Sequence, residues 1–232
     1  MKFFFPVLLV LLGLLVACKP DPAPEVATSE MPLTQALDPT VFAPKVGYTL
    51  VYDQMTRLAK KDAKLPLKEG DVETKRITRV QRYEGPHVSE GNTYHRFSIR
   101  EDGSRIPDLL LDYRQDTLFV VAKAEPDGTF RFDKLRIPLA QKEMKVGTFW
   151  RWPPGAEGTS GFRCVSHEEV RLPAGVFDAY KVTYQGDQGG TVSLKDYWFT
   201  PGVGIVREES RSYRGGLLRA QSVIELKEII RP

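Results

Sequence analysis

Turn-forming residues divide the chain from about residue 85 onward and recur every ten to twenty positions. Between these turns, apolar and polar residues alternate, as in residues 93–100, where Phe97 and Ile99 share one face of an extended chain. No 12-residue stretch there combines helical periodicity with capping residues. Short strands joined by tight turns predict a mostly β, antiparallel fold. The turn segments are Asp102-Gly103, Pro126-Asp127-Gly128, Pro173-Ala174-Gly175, Asp187-Gln188-Gly189-Gly190, Pro201-Gly202-Val203-Gly204 and Arg214-Gly215-Gly216.

The alternating runs predict about ten to thirteen strands in a single domain over residues 41–232. So many strands must curl or close, because a wide flat sheet leaves long unpaired edges. We therefore expect an antiparallel meander curled into a half-barrel or barrel, with a two-sheet β-sandwich as the alternative. No internal repeat is recognisable in the sequence.

Two runs are apolar on both faces, residues 109–111 and 117–122. Strands of this kind are typical of the centre of a sheet that is covered on both sides. By contrast, Pro138 has no backbone N–H to donate, which indicates that residues 135–139 form an edge strand or lie near a strand end.

The first 18 residues have the parts of a secretory signal: Lys2, then an apolar run over residues 3–17, then Cys18. The run is shorter than the ~20 residues that span a bilayer as a helix. Leu15-Val16-Ala17-Cys18 resembles the lipobox of bacterial lipoproteins, which implies cleavage before Cys18 and a lipid on its thiol. An uncleaved transmembrane anchor and a signal peptide without lipidation are the alternatives.

This reading divides the chain into a signal peptide (1–17), the lipidated cysteine with a proline-rich tether (18–40), and the β domain (41–232). Lys19 follows the cysteine where enteric lipoproteins that stay in the inner membrane carry Asp. The resemblance therefore implies a cell-envelope protein, anchored to the outer membrane and facing the periplasm. Cys164 would be the sole remaining thiol, so we expect a buried small side chain and no disulfide.

Two segments in the last third carry a further resemblance: Pro173-Ala174-Gly175-Val176-Phe177-Asp178-Ala179-Tyr180 and Tyr197-Trp198-Phe199-Thr200-Pro201-Gly202-Val203-Gly204. This pair of hairpin motifs resembles a widespread group of uncharacterised bacterial envelope β-domains, over roughly residues 145–228. Those domains are similar, in architecture only, to the half-barrels of lipoprotein carriers. The glycines and aromatics of the motif have structural roles in turns and cross-strand packing.

Motifs for enzymatic chemistry are missing from the sequence. There is no nucleophile elbow, zinc-protease helix, phosphate-binding loop or calcium loop, and we predict no catalytic residue, metal or cofactor. The alternative is an unrecognised hydrolase with a hidden pair of carboxylates. The net charge is +3 with both signs interleaved, so we expect no nucleic-acid partner.

The histidines offer little metal chemistry. In Cys164-x-x-His167 an offset of three places the two side chains on opposite faces of a strand, unless a bulge intervenes. His95 lies between apolar neighbours and is interpreted as a core histidine rather than a ligand.

The function we expect is therefore binding without catalysis. A curled sheet with aromatics on alternate positions can hold a lipid or other hydrophobic molecule in its concavity. The alternative for each aromatic is that it fills an ordinary core, and the rival function is an assembly module that docks another envelope protein and exposes an apolar patch. The residues predicted to line the ligand are Phe97, Trp150, Tyr180, Tyr184 and Trp198.

Overall fold

A computed structural model describes residues 45–60, 69–89, 91–114, 117–125, 127, 129–141, 144–151, 161–188 and 190–232. The predicted signal peptide, Cys18 and the tether lie outside the described residues. One 3-10 turn, Glu69–Asp71, accompanies twelve strands. The strands are β1 (Thr49–Ala59), β2 (Val72–Ser89), β3 (Asn92–Glu101), β4 (Ser104–Arg114), β5 (Thr117–Ala124), β6 (Phe130–Gln141), β7 (Phe149–Arg151), β8 (Gly161–Leu172), β9 (Gly175–Gln188), β10 (Thr191–Thr200), β11 (Gly204–Arg214) and β12 (Leu217–Ile230).

All twelve strands form one sheet in the order β6-β5-β4-β3-β2-β1-β12-β11-β10-β9-β8-β7. Every neighbouring pair is antiparallel, and β1 pairs with β12 from Thr49–Ile230 to Leu58–Ala220 at the centre of the sheet. The two edges, β6 and β7, are consecutive in the chain. The sheet is curled but not closed, so the predicted antiparallel fold is confirmed in its half-barrel form. Within the described residues, no helix is long and apolar enough to span a bilayer.

Strands β4 and β5 are covered on both faces, as predicted, but they do not lie at the sheet centre. They are the third and second strands from the β6 edge. Leu111 packs into the main core, whereas Leu110 and Val121 belong to a separate cluster on the other face. The prediction of a central position is therefore wrong. Apolar residues on both faces indicate that both faces of a strand are covered, but they do not indicate its position in the sheet. Pro138 does lie in an edge strand, as expected.

Two-residue turns join several of the strands. Asp102 and Gly103 connect β3 to β4 with φ of 48° and 79°, and Gly215 and Gly216 connect β11 to β12 with φ of 59° and 76°. Positive φ at both positions matches the right-handed twist of a hairpin and suits glycine and aspartate. These dipeptides are therefore sufficient to set the local hairpins.

One face of the curled sheet carries most of the core, and we call it the inner face. It is defined by Tyr52 of β1, Phe97 of β3, Val182 of β9 and Tyr197 of β10, which are all buried in one cluster. The other face holds a smaller cluster on β3 to β5, made of Tyr94, Leu110, Val121 and Ala122, with Phe119, Phe130 and Phe132 packed against it.

A glycine turn precedes the first half of the sheet, at Lys45-Val46-Gly47. The Gly47 N–H donates to the Tyr83 carbonyl at 2.9 Å, and the Tyr83 N–H donates to the Tyr48 carbonyl at 2.9 Å. Gly47 has a φ of 92°. Immediately after Tyr83, the β2–β3 ladder shifts register before Gly85, which marks a β-bulge.

The same arrangement occurs a second time, at Lys145-Val146-Gly147. The Gly147 N–H donates to the Cys164 carbonyl at 2.8 Å, and the Cys164 N–H donates to the Thr148 carbonyl at 2.9 Å. Gly147 has a φ of 93°. The β8–β9 ladder shifts register between Cys164 and Ser166, at the equivalent place.

Each turn is followed by six strands, β1 to β6 and β7 to β12. Val46 and Val146 are also exposed to the same degree, 56% and 57%. The two halves of the domain therefore share this backbone geometry, although no internal repeat is recognisable in the sequence. The two halves share the sequence Lys-Val-Gly at the turn and little else that inspection can recognise. What they share is the backbone geometry of the turn and the bulge, which the sequence does not show.

Candidate functional site

Aromatic rings from three neighbouring strands form a row on the inner face. Trp150 pairs with Phe162 across the β7–β8 ladder, and Phe162 pairs with Tyr184 across β8–β9. The Trp150 and Phe162 rings are stacked, with centroids 5.9 Å apart and an interplanar angle of 12°, and the Phe162 and Tyr184 centroids lie 4.8 Å apart. Two of the predicted lining residues, Trp150 and Tyr184, are thus brought together by the register of the sheet.

A glycine accommodates the ring of Tyr184. A Cβ atom at Gly186 would lie 2.1 Å from Tyr184 Oη and 2.7 Å from its Cζ. The ring therefore leans along β9 and covers the backbone of Gly186. This contact fixes the orientation of Tyr184 within the aromatic row.

Phe97 lies on the inner face of the first half, away from that row. Its ring centroid is 5.1 Å from that of Tyr83, whose hydroxyl forms a hydrogen bond of 3.1 Å with His95 Nδ1. Burial lowers the pKa of His95, with a smaller opposing effect from Asp112. His95 is thus a partly buried, hydrogen-bonded histidine, consistent with its interpretation as a core residue.

Tyr180 and Trp198 have other surroundings. Tyr180 packs against the main core and stacks on His167 at 4.2 Å, in the middle of the β8–β9 ladder. Trp198 lies on the face of β10 opposite to Tyr197, because successive residues of a strand alternate. Lys181 and Arg207 on the two flanking strands lie 4.8 and 5.0 Å from its ring centroid.

The Trp198 side chain is held by charged groups. Its Nε1–H donates to Glu168 Oε1 at 2.6 Å, and cations beside the ring face add a favourable interaction. Trp198 is buried in the main core cluster, but its ladder partners Lys181 and Arg207 place it on the face of β10 opposite to the aromatic row.

Two buried tyrosines of the inner face, which the sequence reasoning did not single out, donate hydrogen bonds to distant backbone carbonyls. Tyr52 Oη donates to the Ile205 carbonyl at 2.9 Å, and Tyr197 Oη donates to the Leu139 carbonyl at 2.6 Å. Burial raises the pKa of both hydroxyls, with Glu208 as a further cause. Both tyrosines therefore remain neutral hydrogen-bond donors at physiological pH.

Charge is also present on this face. Lys195 and Glu208 form an ion pair of 3.0 Å between β10 and β11, and their side chains are 23% and 10% exposed. Since they pair with each other, this part of the face carries both signs and no excess charge. Sequence reasoning missed the pair because its register depends on the β10–β11 bulge after Trp198.

Three buried polar atoms of the inner face have no hydrogen-bond partner among the described residues: Tyr48 Oη, Gln54 Oε1 and Trp150 Nε1. Gln54 is 6% exposed, and its Nε2 donates to Thr56 Oγ1 at 3.3 Å. Burial raises the pKa of Tyr48 to about 12. Unpaired buried polar atoms are uncommon in proteins and are candidates for partners that a ligand or water supplies.

Cys164 is fully buried in the main core, and burial raises its pKa. The bulge at Val165 aligns Cys164 with Val182 and His167 with Tyr180, which are on the same face of β9. The bulge is the exception that the sequence left open, and it places the two side chains on one face. His167 Nε2 instead lies 2.8 Å from Asp178 Oδ1. No cluster of three or more potential metal ligands occurs in the described parts of the chain.

A shallow hollow of about 430 Å³ lies beside Met55, Arg57, Val72 and Thr74 of β1 and β2. These residues include none of the predicted lining residues. Met55 and Arg57 alternate with Gln54 and Thr56, so the hollow is on the face opposite to the inner face. It has no apolar enclosure that would suit a lipid chain.

Two solved structures are similar to this chain in fold. One is a protein of Bacteroides fragilis, inferred to be exported and with a YmcC-like fold; it is 16% identical, covers 82% of this chain and 98% of its own, and has a TM-score of 0.47. The other is a protein of Parabacteroides distasonis, inferred to be a lipoprotein; it is 14% identical, covers 83% of this chain and 100% of its own, and has a TM-score of 0.46. No protein-family model and no curated protein matches the sequence. Likeness at this level carries no conclusion about function.

Proposed function

We propose that the protein is a lipid-anchored, non-enzymatic protein of the cell envelope that binds a lipid or similar amphiphile on the inner face of its curled sheet. The anchor is the acyl-modified Cys18, and the domain faces the periplasm from the outer membrane. The proposal of a ligand rests on the chemistry of the inner face. It is a largely apolar surface, interrupted by the Lys195–Glu208 ion pair, and it contains buried polar atoms that have no partner among the described residues.

The polar atoms point to an amphiphile rather than a pure hydrocarbon. Gln54 Oε1 and Tyr48 Oη can accept a hydrogen bond, and Trp150 Nε1–H can donate one. Leaving such groups unpaired in a buried place costs about 1–3 kcal/mol each. A ligand with an apolar chain and a head that both donates and accepts hydrogen bonds would satisfy them.

The anchor is tested by Cys18→Ser. We expect the variant to incorporate no radiolabelled fatty acid and to leave the membrane fraction, while Cys164→Ser keeps both properties. Fatty-acid labelling that persists in Cys18→Ser would contradict the anchor.

The ligand is tested by native mass spectrometry of the full-length protein, released from membranes with several detergents. We expect a lipid adduct that survives gentle activation and is lost at higher collision energy. Protein that is free of adducts in every detergent would contradict the ligand.

A second function, docking of another envelope protein, is supported by a different observation. Val146, Phe149 and Val165 are 57%, 39% and 39% exposed, and the hydrogen bonds between Gly147, Thr148 and Cys164 join the segment that carries Val146 and Phe149 to the strand that carries Val165. If this patch binds a partner, Val146→Ser with Val165→Ser should abolish a chemical cross-link to that partner, whereas Val88→Ser, at a distant exposed valine, should leave it unchanged. A cross-link that persists in the double variant would exclude the patch.

A further inference from the structure

The two junctions between the halves of the domain are not equivalent. At the β12–β1 junction, the last strand of one half pairs with the first strand of the other over the whole length of β1. By the shared geometry of the two halves, β6 and β7 should pair in the same way. Among the described residues no ladder joins them, and both are edges of the sheet. The β6–β7 seam therefore lacks the backbone hydrogen bonds that hold the other junction.

Side chains link β6 to the second half instead. The Tyr197 hydroxyl of β10, three strands from the β7 edge, donates to the Leu139 carbonyl of β6, 58 residues away in the chain. Met144, between β6 and β7, is buried in the main core, and Leu139 packs against that core. Within the parts of the chain that the structure describes, this hydrogen bond and apolar packing link β6 to β10 where a ladder is absent, so their separation breaks fewer backbone hydrogen bonds than separation of paired strands.

We propose that the curled sheet opens at the β6–β7 seam, by separation of the Leu139 end of β6 from Tyr197, and that this opening admits the ligand to the inner face. The proposal rests on the function proposed above for that face. It also accounts for how a face with most of its side chains buried becomes accessible. Opening leaves every strand pair of the sheet intact and exposes the core residues beneath the seam.

Cys164 reports this opening. It is 0% exposed in the closed sheet and lies in the same buried cluster as Tyr197 and Met144. A thiol reagent can therefore reach it only after an opening event. The rate of labelling of Cys164 in the mature protein, with the labelled peptide identified by mass, measures the population of open molecules.

The chain offers a matched pair of variants. Tyr197→Phe removes a hydroxyl that crosses the seam, and Tyr52→Phe removes a buried hydroxyl that also donates to a backbone carbonyl but lies in the paired centre of the sheet. We expect Tyr197→Phe to raise the labelling rate of Cys164 about five-fold, the effect of one lost hydrogen bond. Tyr52→Phe should change this rate less than two-fold under native conditions.

Denaturant distinguishes local opening from global unfolding in the unmodified chain, even if a variant does not fold. Local opening predicts that labelling in low urea is almost independent of urea concentration, because little surface is exposed. A labelling rate that follows global unfolding at all urea concentrations would overturn the proposal, as would equal effects of the two variants. No ligand enters this experiment, so its failure leaves the lipid adduct measurement as the separate test of the proposed function.

Discussion

Gly186→Ala should destabilise the domain through a single side chain, that of Tyr184. The new methyl group would lie 2.1 Å from Tyr184 Oη, 2.7 Å from Cζ and 3.1 Å from Cε1. The ring must therefore move away, yet Tyr184 is 6% exposed and its ring lies against Phe162. Gly186 itself has no left-handed backbone conformation that would strain an alanine. A loss of stability in Gly186→Ala would thus be caused by side-chain packing and not by backbone strain.

The magnitude follows from two opposing effects. Overpacking of a buried site costs about 1–3 kcal/mol. Replacing a strand glycine by alanine gains about 0.5–1 kcal/mol, because glycine loses more conformational freedom on folding. We expect a net loss of about 0.5–2 kcal/mol in the free energy of unfolding for Gly186→Ala. In a Tyr184→Leu background the clash is gone, and the same substitution should stabilise by about 0.5–1 kcal/mol.

Urea unfolding of the four proteins in this cycle measures the coupling between the two sites, which we expect to be about 1–3 kcal/mol. Gly70→Ala is the control, since a Cβ there meets no atom within 4 Å, and it should change the midpoint little. An equal cost of Gly186→Ala in the Tyr184 and Leu backgrounds would refute the reasoning, because the ring would then not be the cause.

Substitutions at three further buried polar groups, with an exposed arginine as a control, give the remaining predictions. Tyr48→Phe should stabilise the protein by about 1 kcal/mol at neutral pH because the hydroxyl has no partner in the described structure; since the folded pKa is raised to about 12, the wild type should also lose stability as the pH rises above ~10, and the variant should lose less. Burial lowers the pKa of His95, so stability should fall as the pH drops below about 6.5, and His95→Gln should weaken this dependence in acid titrations followed by fluorescence. Asp108 is 1% exposed and accepts hydrogen bonds from Arg96 and Arg105; Asp108→Asn should cost about 1–3 kcal/mol in urea unfolding, whereas Arg105→Gln, at a residue 62% exposed, should cost under ~1 kcal/mol.

Local features of the fold could be predicted from the sequence because their causes are local. Asp102-Gly103 and Gly215-Gly216 turn the chain through their own conformational preferences. Pro138 marks an edge strand because its missing N–H is a property of one residue. Alternation of polar and apolar residues then assigns strands and a buried face.

Features that depend on distant pairing could not be predicted. The β1–β12 ladder joins the two ends of the domain and sets which strands become edges, and no local pattern specifies it. The bulge at Val165 moves His167 onto the face of Cys164 and leaves no signal in the sequence. The sequence predicts that Trp150 and Tyr184 belong to the candidate site. It does not predict the unpaired buried atoms or the β6–β7 seam, because both depend on how distant strands pair.

Quenching of tryptophan fluorescence by a brominated fatty acid tests most directly whether an apolar ligand lies on the inner face. In a Trp152→Phe background two tryptophans remain, Trp150 beside Phe162 on the inner face and Trp198 on the opposite face of β10. We expect saturable quenching that is retained in Trp198→Phe and lost in Trp150→Phe. Absence of saturable quenching, or quenching that survives Trp150→Phe and disappears with Trp198→Phe, would contradict a ligand on the inner face.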